Sequence, residues 1–357
     1  MKFTFKAIGP LVVCAGLVLP GCGAYTRHGL EPAQARHLEA KIFSYPRLTA
    51  QRENQILALN PTHVTGREVR EVLAGAPAPH LFNIHGGMKP TIKRMVSFSE
   101  FAVGMGYPRS SIINPADGTY SFSCYENSAK IAGVVAWYYE HDGLRPMLNG
   151  HSQGGMRTVE VLDNLAGDEP LHVWNPLTWQ EEKRTTITDP LTDRERPVAG
   201  LKISFASSVG AGGMTRILPS AWSMTTRLHK IPDSVLEFVG FCKENDWLGG
   251  DYVGYGPGNY YKAMGSALVH NVWLPKEYEH AMIPITDHLL RSQQTRDWIN
   301  NYQPSAEAVS YPQLNVRLPG DTRHIIWAAE MWYYIKKHWV LELQRLIRAR
   351  RAMGGDG

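Results

Sequence analysis

The chain has 357 residues, 43% of them hydrophobic and 20% charged, with a formal net charge of +4. These values fall in the ordinary globular range and leave room for one large core or two modest ones. They exclude the one-sided basicity of a nucleic-acid binder, so no nucleic-acid partner is expected.

The first residues predict an export signal. Lys2 and Lys6 open it, Ala7 to Leu19 is mostly apolar and too short to span a bilayer comfortably, and its removal leaves a net charge of about +2. Leu19-Pro20-Gly21-Cys22 resembles the lipobox of bacterial lipoproteins, in which the cysteine becomes the acylated first residue, with Pro20 a departure from that pattern. The resemblance implies a signal peptide over 1–21 and lipid attachment at Cys22. It also implies an exported cell-envelope lipoprotein of the periplasm or outer membrane, held to the membrane by its N-terminal lipid. Ordinary cleavage after Gly23 or Ala24 gives a secreted protein instead. Cys14 belongs to the signal, so Cys124 and Cys242 remain for the folded domain, where a disulfide between them is permitted. The sequence has no CxxC pair or His/Cys cluster, and no metal is expected.

An N-terminal segment (22–74) precedes the alternation of short apolar runs with longer amphipathic ones that marks an α/β sheet with crossover helices. "HLFNIHGG" (80–87) predicts a strand ending in a glycine turn, followed by helical spacing over 97–107 and a second strand at "SSIINP" (110–115). A helix over 127–140 comes next. "RPMLNGHSQGG" then reads as strand, tight turn and the start of another helix.

That tight turn, Gly150-His151-Ser152-Gln153-Gly154, carries the chemistry. A serine at a strand-to-helix elbow sits in a strained backbone, and glycines on either side avoid collision with the flanking strand and helix. The helix behind it offers unpaired N–H groups, of which Gln153 supplies the first. "IHGGM" (84–88) supplies a second donor, assigned to Gly87, with Gly86 shaping the turn and His85 holding the loop through hydrogen bonds.

"HGG" after one strand and "GHSQGG" after a later one resemble the α/β-hydrolase superfamily, especially its lipases and esterases. The resemblance covers roughly residues 75–300 in organisation, and the hydrolase domain is taken as 75–310. It implies a mostly parallel central sheet with helices on both faces and a cap or lid insertion. It also implies an acid and a histidine after later strands. "SVLEFVGFCKENDW" (234–247) ends in a polar turn that makes Asp246 the expected acid, ahead of Glu244 and Asp251. His270, His280, His288 and His324 all follow it. "AMIPITDHLLRSQQTRDWI" reads as a strand over 281–285, a short loop and a helix, so His288 is the expected base. His280 is the alternative, with "NVWLPKEYEH" as the last strand and its loop.

The expected activity is cleavage of carboxylic esters, from small molecules or lipids, through an acyl-enzyme on Ser152 with no cofactor. Acyl transfer to an alcohol or sugar uses the same intermediate. A non-catalytic envelope lipoprotein on the same scaffold requires a misplaced histidine or acid. Residues 172–197 are too long for a plain connection and read as a cap, and 213–232, with Met214, Ile217, Leu218, Trp222 and Met224, as a lid or surface packing. The tail, 311–357, carries an amphipathic helix from Thr322 to Arg351. Its apolar stripe is expected in the core and its basic residues, Lys336 among them, elsewhere; a membrane-surface role is the alternative.

Overall fold

Apolar runs rich in β-branched and aromatic residues build one parallel sheet in a computed structural model that describes residues 30–42, 48–211, 219–249, 259–307, 309–310 and 317–354. The expected export signal with Cys22, and Met214, Ile217, Leu218 and Asp251, lie outside the described residues. The strands are β1 (Leu81–Ile84), β2 (Met147–His151), β3 (Ile203–Val209), β4 (Val235–Lys243), β5 (Leu268–Leu274) and β6 (Val309–Ser310), each beside the next in chain order. Leu81 aligns with Met147, Met147 with Phe205, Phe205 with Glu237 and Glu237 with Leu268. Side chains alternate across a strand, so Leu81, Met147 and Phe205 enter one core and Phe82, Leu148 and Ala206 the other. Burial on both faces explains why β1, β2 and β3 are covered along their whole length.

Among the described residues, seven α-helices longer than a single turn accompany the sheet: α1 (Pro32–Ile42), α2 (Ala50–Ala58), α3 (Pro90–Gly104), α4 (Ser128–Asp142), α5 (Gln153–Ala166), α6 (Gln293–Asn301) and α7 (Ile325–Gly354). Met95, Phe98 and Phe101 of α3 share one core with Trp327, Trp332 and Trp339 of α7, while α4 and α5 fill the other. Ile56, Val64 and Leu73 of the N-terminal segment belong to the α7 core, so segment, sheet and tail are packed together. Among the described residues no helix is long and apolar enough to cross a membrane.

Several expectations are corrected. "SSIINP" forms a 3-10 turn at Arg109–Ser111 and an Asn114-centred turn rather than a strand, since Pro108 and Pro115 bracket it and Asn114 Oδ1 accepts the Ala116 N–H. The strand expected over 281–285 is a 3-10 turn at His280–Met282, and Pro284 has no N–H to give a ladder. The stretch 172–197 is two antiparallel hairpins docked on α4 in place of a cap. Trp137 Nε1 donates to Glu182 at 3.1 Å, Arg184 to Glu140 at 2.8 Å and Tyr139 to Asp189 at 3.0 Å. Of the expected lid, Met224 is core, Trp222 is exposed, and Lys230–Ile231 pairs with Lys262–Ala263. The permitted disulfide is not formed; Cys242 Sγ donates to the Asn259 carbonyl at 3.4 Å.

The apolar stripe of α7 is in the core as expected, and so is Lys336, contrary to expectation. Its ammonium donates to the Val64 and Asn300 carbonyls, and burial pulls its pKa down to about 8. Glu237 on β4 is a second buried junction. It receives His270 at 2.9 Å, Lys337 at 2.8 Å and His338 at 2.8 Å, and these partners outweigh the opposing effect of burial to hold its carboxyl below the usual range.

Glu330 on α7 behaves oppositely. Burial pushes its pKa up to about 7, although Tyr302 donates to Oε1 at 2.6 Å, and Oε2 is buried without a hydrogen-bond partner. Between the ordinary carboxylate pKa and 7 the folded state holds a proton that the unfolded state has released, so this group's contribution to stability declines as pH rises through that window. Glu330→Gln cannot ionise. Its stability relative to wild type is expected to improve by about 3 kcal/mol between pH 4 and pH 9, measured by urea unfolding at each pH; a pH-independent difference contradicts the assignment.

Candidate active site

The C-terminal ends of five adjacent strands converge on one edge of the sheet, where open α/β sheets bind ligands. Ser152 follows β2 with φ +56° and ψ −122°, a backbone that a side chain rarely adopts, and caps the N-terminus of α5. The flanking glycines permit this. A Cβ on Gly150 would lie 2.2 Å from the Gly154 carbonyl oxygen, and one on Gly154 2.2 Å from that of Ile84. The Ser152 N–H donates to the Val209 carbonyl at 2.8 Å, tying the elbow to the end of β3.

The turn after β1 is held from inside the protein. The Gly86 carbonyl accepts His85 Nδ1 at 2.8 Å and Thr91 Oγ1 at 2.7 Å, so His85 holds the loop as expected. In a trans peptide the C=O and the following N–H point opposite ways, so pinning this carbonyl inward turns the Gly87 N–H outward. Tyr125 donates its hydroxyl to the Gly87 carbonyl. Gly87 and Gln153 are neighbours: a Cβ on Gly87 would lie 2.2 Å from Gln153 Oε1. A Cβ on Gly86 would lie 3.1 Å from Ser152 Cβ, so the turn and the elbow abut.

Asp246 stands in the turn after β4, which Asn245 opens at φ +57°. Its Oδ1 accepts the Gly249 N–H at 2.9 Å, and its Oδ2 accepts Nδ1–H of His280 at 2.8 Å. Both side chains are buried. Burial alone would raise the Asp246 pKa, but the His280 hydrogen bond and charge outweigh it and hold the carboxyl below its usual range. With Nδ1 committed to Asp246, His280 keeps Nε2 as its acceptor. Gly210, just after β3 at φ +56°, makes room for the pair; a Cβ there would come within 2.8 Å of the His280 ring and 3.1 Å of Asp246.

The histidine assignment therefore changes. His288 lies in a 3-10 turn, Asp287–Arg291, where its Nε2 hydrogen-bonds the Arg323 carbonyl at 3.2 Å and sits 3.7 Å from Asp321. Because β5 ends at Leu274 and no strand forms over 281–285, the first loop after β5 carries His280 instead. His270 is bonded to Glu237 and His324 to the Ile285 carbonyl, so neither meets Asp246. One contributor escaped the sequence: Gly210, whose only signal was a glycine after a predicted strand. Among the described residues no group of three or more His, Cys, Asp or Glu side chains is arranged to hold a metal.

No protein-family model, curated protein or solved structure matches the chain.

Proposed function

We propose that the protein is a serine hydrolase of the α/β-hydrolase type that cleaves carboxylic esters of small molecules or lipids, with Ser152 as nucleophile, His280 as base and Asp246 as the acid that orients it. The observation that carries this is the buried Asp246–His280 hydrogen bond at 2.8 Å, on the loops after β4 and β5 beside a strained serine elbow after β2. The chain order Ser, Asp, His is that of the α/β-hydrolases.

Ser152 Oγ attacks the acyl carbonyl while His280 Nε2 takes its proton, and Asp246 stabilises the imidazolium that results. Charge on the former carbonyl oxygen falls to the N–H groups of Gly87 and Gln153. The first is turned outward by its pinned peptide, and the second is free of intrahelical bonding at the start of α5. His280 then returns the proton to the leaving alcohol, and water, activated by the same ring, releases the acid.

Incubation with a fluorophosphonate probe is expected to place a phosphonyl group on Ser152, mapped by peptide mass, and the same protein is expected to hydrolyse p-nitrophenyl esters. A folded protein that takes no label and hydrolyses no ester of any acyl length overturns the proposal.

A further inference from the structure

His151 is a buried titratable side chain that the proposed hydrolysis chemistry does not use. It directly precedes the serine, and its Nε2 lies 2.8 Å from the backbone carbonyl oxygen of His280. A carbonyl only accepts, so Nε2 carries the hydrogen and donates. Nδ1 is then the bare lone pair, buried without a hydrogen-bond partner and facing the Gly86 turn, where a Cβ would stand 3.1 Å from it. Burial, followed by the neighbouring His280, pulls the His151 pKa down to about 3, with Asp246 and Arg94 the other charged groups that act on it. The ring is thus neutral at ordinary pH. It places no positive charge beside His280, whose ring centroid is 5.0 Å away.

The His280 loop needs such a hold. It is a 3-10 turn, His280–Met282, outside the sheet ladder, and its side chain must meet both Asp246 and Ser152. Two successive carbonyls of the loop are anchored by side chains from elsewhere: that of His280 by His151 on β2, and that of Ala281 by Arg94 on α3 at 3.1 Å. The first anchor joins the peptide bearing the base to the residue before the nucleophile, so the two reacting groups share one rigid link.

We propose that His151 is a positioning residue, a neutral Nε2–H strut from the nucleophile strand to the His280 carbonyl that sets the base against Ser152. The proposal rests on the serine-hydrolase assignment above. It explains the histidine in the elbow: of the side chains that fit there, it offers one donor at the required reach and a second nitrogen that needs no proton.

The test is the rate of fluorophosphonate labelling of Ser152, together with kcat and KM for a p-nitrophenyl ester, in wild type and in His151→Leu, His151→Asn and His151→Gln. Gln presents an amide N–H about where Nε2–H stood, Asn stops near the position of Nδ1, and Leu has no donor. Misplacing a reacting group by about 1 Å costs about a hundredfold, so labelling and kcat are expected to fall by about that factor in Leu and Asn with KM little changed. Gln is expected to restore both. Wild-type rates in a folded Leu or Asn variant, or an equal loss in Gln, overturn the strut alone. Wild-type protein that does not label overturns the hydrolase assignment and the strut with it.

Discussion

Ser152→Ala is expected to lower kcat/KM for an activated ester by about 10⁵- to 10⁶-fold and to abolish phosphonate labelling, while unfolding within about 0.5 kcal/mol of wild type. The loss is large because in the proposed reaction Oγ is the only atom that forms the covalent bond, so base and oxyanion donors would have nothing left to assist. Stability is spared because the hydroxyl holds no element in place: the elbow is fixed by its own N–H to Val209 and by the glycines around it. Ser152→Gly gives a sharper outcome. It loses the same activity but is expected to be more stable than wild type by about 1 kcal/mol, since a side chain at φ +56° and ψ −122° costs about 1–3 kcal/mol and glycine returns part of that as extra unfolded-state entropy. Denaturant unfolding of the two variants checks this. A glycine variant no more stable than the alanine variant means that the elbow stores no strain.

What the sequence disclosed follows from how local each constraint is. The β1 turn and the β2 elbow were legible because their requirements are written in adjacent residues: an apolar run, a glycine that must lack a Cβ, and a helix start. Asp246 was legible because β4 is a long apolar strand that ends in a polar turn. The base was not. "NVWL" and "AMIPI" are both short apolar runs, periodicity does not separate them, and the discriminating residue was Pro284, which cannot donate to a strand ladder. Lys336 shows the same limit. Helical spacing sends a lysine to solvent, and only the tertiary arrangement reveals the two backbone carbonyls, Val64 and Asn300, that receive it inside. Gly210 and His151 act across strands, and no single segment of the sequence contains both ends of those contacts.

His280→Ala and His288→Ala are expected to separate by about three or four orders of magnitude. On the proposed mechanism, removing His280 takes away the base that ionises Ser152 and leaves Asp246 a buried carboxylate without its hydrogen-bonded imidazole, so kcat is expected to fall about 10⁴-fold or more. Asp246→Asn should come close to that loss, because an amide Oδ1 or Nδ2 facing His280 lets the ring adopt the wrong tautomer. His288→Ala removes a hydrogen bond to the Arg323 carbonyl at 3.2 Å and a 3.7 Å approach to Asp321, both in the turn just before α7. Its cost is expected in stability, about 1 kcal/mol, with kcat within about twofold of wild type. Turnover of one ester by the three purified variants, beside their urea midpoints, decides the matter. Loss of turnover in His288→Ala with His280→Ala active would place the chemistry on a different histidine from the one that Asp246 holds. The pattern expected instead ties turnover to the buried Asp246–His280 hydrogen bond, because in the proposed mechanism the carboxylate fixes the tautomer of the base and the His151 hydrogen bond fixes its loop to the nucleophile strand.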